Sequence, residues 1–289
     1  MEGRKLRRGA MPVEYLVPAD VAAALEMRGA GGSVLAGGTD LYPQHVGRPL
    51  SSPVIDIGAL DELRGIEETA DAFRIGALTR WADVVAADLP RSFDGLRAAA
   101  REVGSVQVQN AGTVGGNLVN ASPAADGVPP LLSLDATVEL TSATGSRRLP
   151  LEDFLTGYRA TALRADELVT AVLVPRVVDD ARAAFLKLGL RRYLVISVVM
   201  VGVVVAVDAD GLVVDARVAV GACSPVAMRL RPLEAQLVGR RPEEVQVAAI
   251  AQHLEALRPI DDVRATAAYR RRAASVLVHR ALASCRGPR

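Results

Sequence analysis

Residues 112–126 read GTVGGNLVNASPAAD: three glycines and two asparagines set between aliphatic stretches and closed by an aspartate. Residues 35–41 read LAGGTDL, again with paired glycines ahead of a hydroxyl and an acid. Glycine lacks Cβ, so its N–H can approach a ligand closely and its backbone can adopt φ > 0. Consecutive N–H groups presented this way form a concavity that binds anions. Neither stretch contains GxxxxGK[ST], and GTVGGN has neither the GxGxxG spacing nor the following helix of a dinucleotide fingerprint. The competing reading of each cluster is a pair of tight turns. Two loops of matching chemistry, each entered from a strand or helix, favour one shared ligand gripped from both sides.

The neighbouring side chains narrow that ligand. Thr39, Asp40, Thr113, Asn117, Asn120, Ser122 and Asp126 offer hydroxyls, amides and carboxylates suited to sugar or ribityl hydroxyls. Lys and Arg are missing from both loops, which serves a polyphosphate poorly. About five backbone N–H groups at roughly 1.5 kcal/mol each would contribute on the order of 8 kcal/mol. The remaining affinity would come from burying flat apolar rings, so a dinucleotide carrying a large planar ring fits best.

Working outward, Asp20 is placed to cap a helix through VAAALEMRGAG, and Ser33–Ala36 reads as a strand running into the first glycine pair. PVIDIG at 53–58 and FRIGAL at 73–78 are strand patterns, and Thr79 is a cap for a helix over RWADVVAADL. Helical spacing from Phe93 to Val103 leads into the second cluster. Beyond it, PPLLSLDA starts with prolines at helix-entry positions, and TVELTS with SRRLPL predicts a hairpin around Thr144–Gly145. PRVVDD at 175–180 reads as a linker, so domain boundaries are predicted at 1–177 and 178–289, with a subdivision of the first near residue 57. Downstream, AAFLKL, ISVVMVGVVVAVD and LVVDARVAVGA predict three strands, with a turn at Asp208–Gly211. Helices follow over Pro232–Val238, Pro242–Leu257 and Ala265–Leu282, and the run Arg270–Arg272 reads as a solvated helix face. The fold class is α+β.

The 289 residues are half hydrophobic with a net charge of +1, enough for two cores and without the basic face of a nucleic-acid or membrane-surface protein. Aromatic residues make up 3%, with one tryptophan, Trp81, which leaves few platforms for stacking bases. The longest apolar run, Val195–Val207, is too short to span a bilayer and reads as a buried strand. No apolar stretch follows the basic N-terminal residues, so the expected location is the cytoplasm. Cys223 and Cys285 stand alone, and His45, His253 and His279 are scattered, which gives no disulfide framework, iron–sulfur site or metal constellation on this chain.

Several longer motifs carry a specific likeness. AGGTDL at 36–41, RIGALT at 74–79, TVGGNLVNASPAAD at 113–126, PLEDFLTGYRAT at 150–161, FLKLGLRR at 185–192, VGACSPVAMR at 220–229 and IDDVRATAAYRRR at 260–272 occur in order along nearly the whole chain. Together they resemble the FAD-binding medium subunit of molybdenum hydroxylases, the xanthine dehydrogenase and carbon monoxide dehydrogenase family. The resemblance implies a two-lobed FAD-binding domain of the vanillyl-alcohol-oxidase type, followed by a C-terminal three-stranded sheet with helices. It implies that Val34, Leu35, Ala36, Gly37, Gly38, Thr39, Asp40 and Leu41 contact the diphosphate side of FAD, and that Thr113, Val114, Gly115, Gly116 and Asn117 close the other side. Asp126 would accept hydrogen bonds from FAD hydroxyls, while Val103, Val169 and Lys187 would line the cavity towards the ring.

The same resemblance implies an oxidoreductase subunit that relays electrons, with no catalytic acid, base or nucleophile of its own. A large molybdenum–pterin subunit would oxidise the organic substrate, and a small subunit with two [2Fe–2S] clusters would pass electrons to FAD. NAD⁺, quinone or oxygen would then accept them. The expected assembly is a dimer of heterotrimers. Val119 stands where many relatives have cysteine, Ala111 where many have a basic residue, and Tyr193 and Leu194 where some have acids. Those last two changes bear on the acceptor, and Tyr193 is placed to pack on the ring. Two other readings are a self-contained flavin oxidase and a flavin-free assembly scaffold.

Overall fold

A computed structural model describes residues 13–48, 50–176, 181–192 and 194–286. Residues 177–180 of the expected linker, and Tyr193, lie outside the described residues. The architecture mixes helices with three principal sheets arranged in sequence order.

The first lobe is a three-stranded parallel sheet in which Val54–Asp56 lies between Tyr15–Leu16 and Ser33–Leu35. Helix Val21–Gly29 covers it, capped by Asp20, whose carboxylate accepts from Ala23 N–H at 2.8 Å. Ala24, Leu25, Ile55 and Ile57 form the small core between them.

The second lobe is a five-stranded antiparallel sheet ordered Ile66–Glu68, Ala72–Gly76, Leu168–Pro175, Thr137–Ser142 and Gly145–Pro150. The predicted hairpin is its outer pair, in register from Thr137↔Pro150 to Ser142↔Gly145. The central strand Leu168–Pro175 is buried along most of its length. It packs with Trp81, Phe93, Leu118 and Phe154 into the largest core.

The third sheet is antiparallel and orders Arg182–Leu188, Val199–Val207, Val213–Gly221 and the two-residue edge Met228–Arg229. The three expected strands are its body, and the short fourth one pairs only through Ala219↔Arg229 and Val220↔Met228. Of the apolar run at 195–207, Val199–Val207 is the strand, buried on both faces, while Ile196 ahead of it is exposed and lies outside the strand. One side meets helix Ala267–Ser284 and the other meets Pro129, against which a Cβ on Gly202 would lie 2.7 Å from backbone.

Four expectations are corrected. The cap of helix Trp81–Ala86 is Arg80, whose N–H donates to Asp83 Oδ2 at 3.0 Å. Thr79 is fully buried instead, its hydroxyl donating to Gly65 O at 2.9 Å. The expected helix over 242–257 is a 3-10 turn at Pro242–Glu244 and a helix at Val247–Ala251, because the intervening Val245 is buried and its carbonyl bonds His279 Nδ1. Arg270 is no solvated residue: it is 3% exposed, pairs with Asp262 at 2.8 Å and donates to Val198 O and Ala222 O. Finally, the second glycine cluster is no open loop, because helix Val114–Asn120 begins inside it.

Candidate functional site: a cleft between two glycine segments

The first segment leaves strand Ser33–Leu35 with Leu35 buried beneath it. Gly38 then takes φ +69°, the left-handed region that a side chain rarely adopts, and a Cβ on it would strike the Tyr42 ring. Gly37 is confined differently: a Cβ there would collide with the carbonyl oxygen of Ala111, the last residue of helix Val106–Ala111. The two glycine segments therefore touch backbone to backbone.

The second segment begins at Thr113, whose Oγ1 accepts from Gly116 N–H at 3.1 Å and caps helix Val114–Asn120. Val114 N–H donates to Thr79 O at 2.9 Å and Gly115 N–H to Ala77 O at 2.8 Å. A Cβ on Gly115 would lie 2.8 Å from Ala77, so this glycine allows the helix to seat on the RIGALT strand. Three N–H groups expected to face a ligand are thus bonded within the protein. Those of Gly37, Gly38 and Thr39 have no protein acceptor among the described residues. The backbone donors left for a ligand are concentrated on the first segment.

Between the segments lies a cleft of about 380 Å³. Of the expected residues, Val34, Ala36 to Leu41, Val103, Thr113, Gly115, Gly116, Asn117 and Val169 line it. Leu35 and Val114 are buried behind its wall. Asp126 and Lys187 lie outside it and engage each other: Lys187 Nζ is 2.6 Å from Asp126 Oδ2, while Ser197 donates to Asp126 Oδ1 at 2.8 Å. Burial pushes the Asp126 carboxyl up, and Lys187 and Ser197 pull it back.

Residues from elsewhere complete the walls. Trp81, almost wholly buried, supports the second segment, its backbone N–H donating to Gly112 O at 3.2 Å. Glu167 reaches the cleft from the turn before the central strand. Arg147 forks onto its two oxygens at 2.6 and 2.9 Å and holds the carboxyl below the usual glutamate range. Arg28, in the last turn of the first helix, also lines the cleft. Nothing in the sequence marks Glu167 for this wall. Arg28 stands six residues before Val34, where a last-turn cation is an ordinary helix feature.

The cleft suits a nucleotide on two further observations. Arg28 and Asn117 both line it, and Arg28 Nε and Asn117 Oδ1 are buried without a hydrogen-bond partner in the protein. Apolar Val34, Ile57, Leu168 and Val169 line the same cleft and suit a flat ring. A broader groove of about 790 Å³ between Val247–Ala251 and Ala267–Ser284 brings neither glycine segment into its lining.

Two stretches that together span most of the chain match known families. Residues 11–177 match the family described as FAD binding domain in molybdopterin dehydrogenase, and residues 183–285 match the CO dehydrogenase flavoprotein C-terminal domain. The nicotinate dehydrogenase FAD-subunit of Eubacterium barkeri is 39% identical over 212 residues, 72% of each chain. The glyceraldehyde dehydrogenase medium chain of Sulfolobus acidocaldarius is 34% identical over 251 residues, 86% of this chain and 88% of that one. Carbon monoxide dehydrogenase from Hydrogenophaga pseudoflava, in a form lacking the Mo-pyranopterin moiety, superposes with a TM-score of 0.87 at 29% identity, covering 94% and 96% of the two chains.

Proposed function

Because this chain belongs to the family of FAD-binding subunits of molybdopterin dehydrogenases, we propose that it is the electron-relay subunit of a molybdenum hydroxylase complex. FAD, when bound, supplies the redox chemistry, taking electrons from [2Fe–2S] clusters on a small subunit and giving them to NAD⁺, quinone or oxygen. The electrons originate at a molybdenum–pterin centre on a large subunit, in a dimer of heterotrimers in the cytoplasm. Among the described residues no helix is long and apolar enough to cross a membrane.

The chain's own part is binding and orientation. Gly37, Gly38 and Thr39 would donate their free N–H groups to the diphosphate, and Asn117 Oδ1 would accept from a ligand hydroxyl. Asp126 and Lys187 would act from behind the cleft, fixing the segment between Asn117 and the C-terminal sheet. One observation carries the reading: two glycine segments distant in sequence meet at Gly37 and Ala111 and enclose a single cleft holding an orphaned donor and acceptor.

The test separates the three readings of the sequence. The purified full chain, loaded with FAD, is mixed anaerobically with candidate organic substrates, with and without the proteins that co-purify with it in its native complex. A relay subunit keeps its flavin oxidised alone and loses flavin absorbance only in the complex, which also contains molybdenum and iron. Loss of absorbance by the chain alone would establish a self-contained oxidase. A chain that refuses FAD altogether would establish the scaffold.

A further inference from the structure

Among the described residues the backbone N–H groups of Gly37, Gly38 and Thr39 have no protein acceptor, but these are neutral donors, and a dianionic diphosphate calls for positive charge beside them. The charged side chains lining the cleft are Asp40, Glu167 and Arg28. Glu167 is already neutralised by Arg147, and Asp40 is itself an anion. Among the described residues Arg28 is the single cation of the lining.

Its guanidinium is held in place and left unfinished. Nη1 donates to Gly32 O at 2.6 Å, which fixes the side chain across the turn that leads into strand Ser33–Leu35. Arg28 forms no ion pair among the described residues, although fifteen such pairs occur elsewhere in the molecule. Nε is buried without any partner. A guanidinium stays charged at any physiological pH, and leaving one of its donors buried and unbonded costs stability unless a ligand completes it. The residue that carries this charge and this unpartnered donor lines the cleft.

We propose that Arg28 is a ligand-binding residue that grips the adenosine diphosphate half of the flavin nucleotide, supplying the positive charge that both glycine segments lack. The proposal rests on the reading of the cleft as the FAD site. Arg28 is preorganised by Gly32, so little side-chain freedom is lost on binding. An oxidised isoalloxazine ring is neutral and gains nothing from this cation, whereas the diphosphate gains a charge-assisted bond. The interaction therefore discriminates between the two halves of the ligand.

The experiment measures equilibrium binding of FAD, ADP and riboflavin to the flavin-free full chain and to its Arg28→Met and Arg28→Lys variants. Retained far-UV circular dichroism of each variant shows that the fold survives. Arg28→Met is expected to weaken FAD and ADP by the same factor, about 10- to 100-fold, the range of a lost charge-assisted bond. Riboflavin affinity should stay within about twofold of the parent, and Arg28→Lys should fall between parent and Arg28→Met because it keeps charge and loses the fork. Unchanged FAD affinity in Arg28→Met, or an equal loss for riboflavin, would overturn the assignment while leaving the FAD site standing. A parent chain that binds neither FAD nor ADP would overturn the reading of the cleft itself.

Discussion

Lys187 Nζ lies 2.6 Å from Asp126 Oδ2, with each side chain 8% exposed, and this ion pair joins the end of the second glycine segment to the first strand of the C-terminal sheet. Ser197, just ahead of the next strand, bonds the other carboxylate oxygen, and Lys187 also donates to Glu102 O at 3.3 Å. Val103, the residue after Glu102, lines the cleft. The pair thus fixes the cleft wall to a separate sheet without entering the cleft.

Removing one partner of such a pair strands a buried charge. Lys187→Met is expected to destabilise the chain by about 3–5 kcal/mol, because Asp126 would keep only Ser197. Adding Asp126→Asn should recover most of the loss, since the desolvated charge is then gone. Urea unfolding of both variants checks this; a double variant no more stable than Lys187→Met would show that the pair's charge is not what matters.

Glu167 gives the acid side of the stability profile. Arg147 depresses its carboxyl in the folded chain, so its contribution is complete above the ordinary glutamate range near about pH 4.3 and is lost as pH falls through the lowered folded value. Glu167→Gln should cost about 1–3 kcal/mol at neutral pH. The difference in Tm from the parent should narrow steadily below about pH 4. A constant difference from pH 7 to pH 3 would contradict the assignment.

Cys223 and Cys285 are both buried, and burial pushes each thiol up to about 11. Thiolate is the reactive form, so both should react slowly with a disulfide reagent at neutral pH while the fold holds. Titration with such a reagent should find neither thiol rapidly in the native chain and both after denaturation. A fast native thiol would place one of them at the surface.

Much of this was legible in the sequence, for local reasons. Asp20 capping a helix, the Thr137–Pro150 hairpin and the valine-rich strand at 199–207 follow from residue chemistry a few positions apart. The thirteen expected residues that line the cleft include Val103 and Val169, which the family resemblance brought in from outside the glycine segments. What escaped was set by tertiary contacts. Thr79 has the chemistry of a cap, but burial turns its hydroxyl to Gly65. Arg270 sits in a basic run, and only the folded loop carrying Asp262 gives it a buried partner. Arg28 and Glu167 carry no local mark because their role depends on where the first helix and the central strand converge.

The central claim is that the two glycine segments hold one FAD. The most direct measurement is FAD retained by the full chain after saturation and desalting, compared between the parent, Gly37→Val and Gly116→Val. A side chain on Gly37 meets the Ala111 carbonyl and forces the segments apart, whereas one on Gly116 meets nearby only Thr113 Oγ1, at 2.9 Å, and otherwise points into open space. The account expects close to one FAD per parent chain, a near-complete loss in Gly37→Val, and a loss in Gly116→Val without a matching fall in Tm. A parent that retains no FAD, or variants that retain as much as the parent, would contradict it.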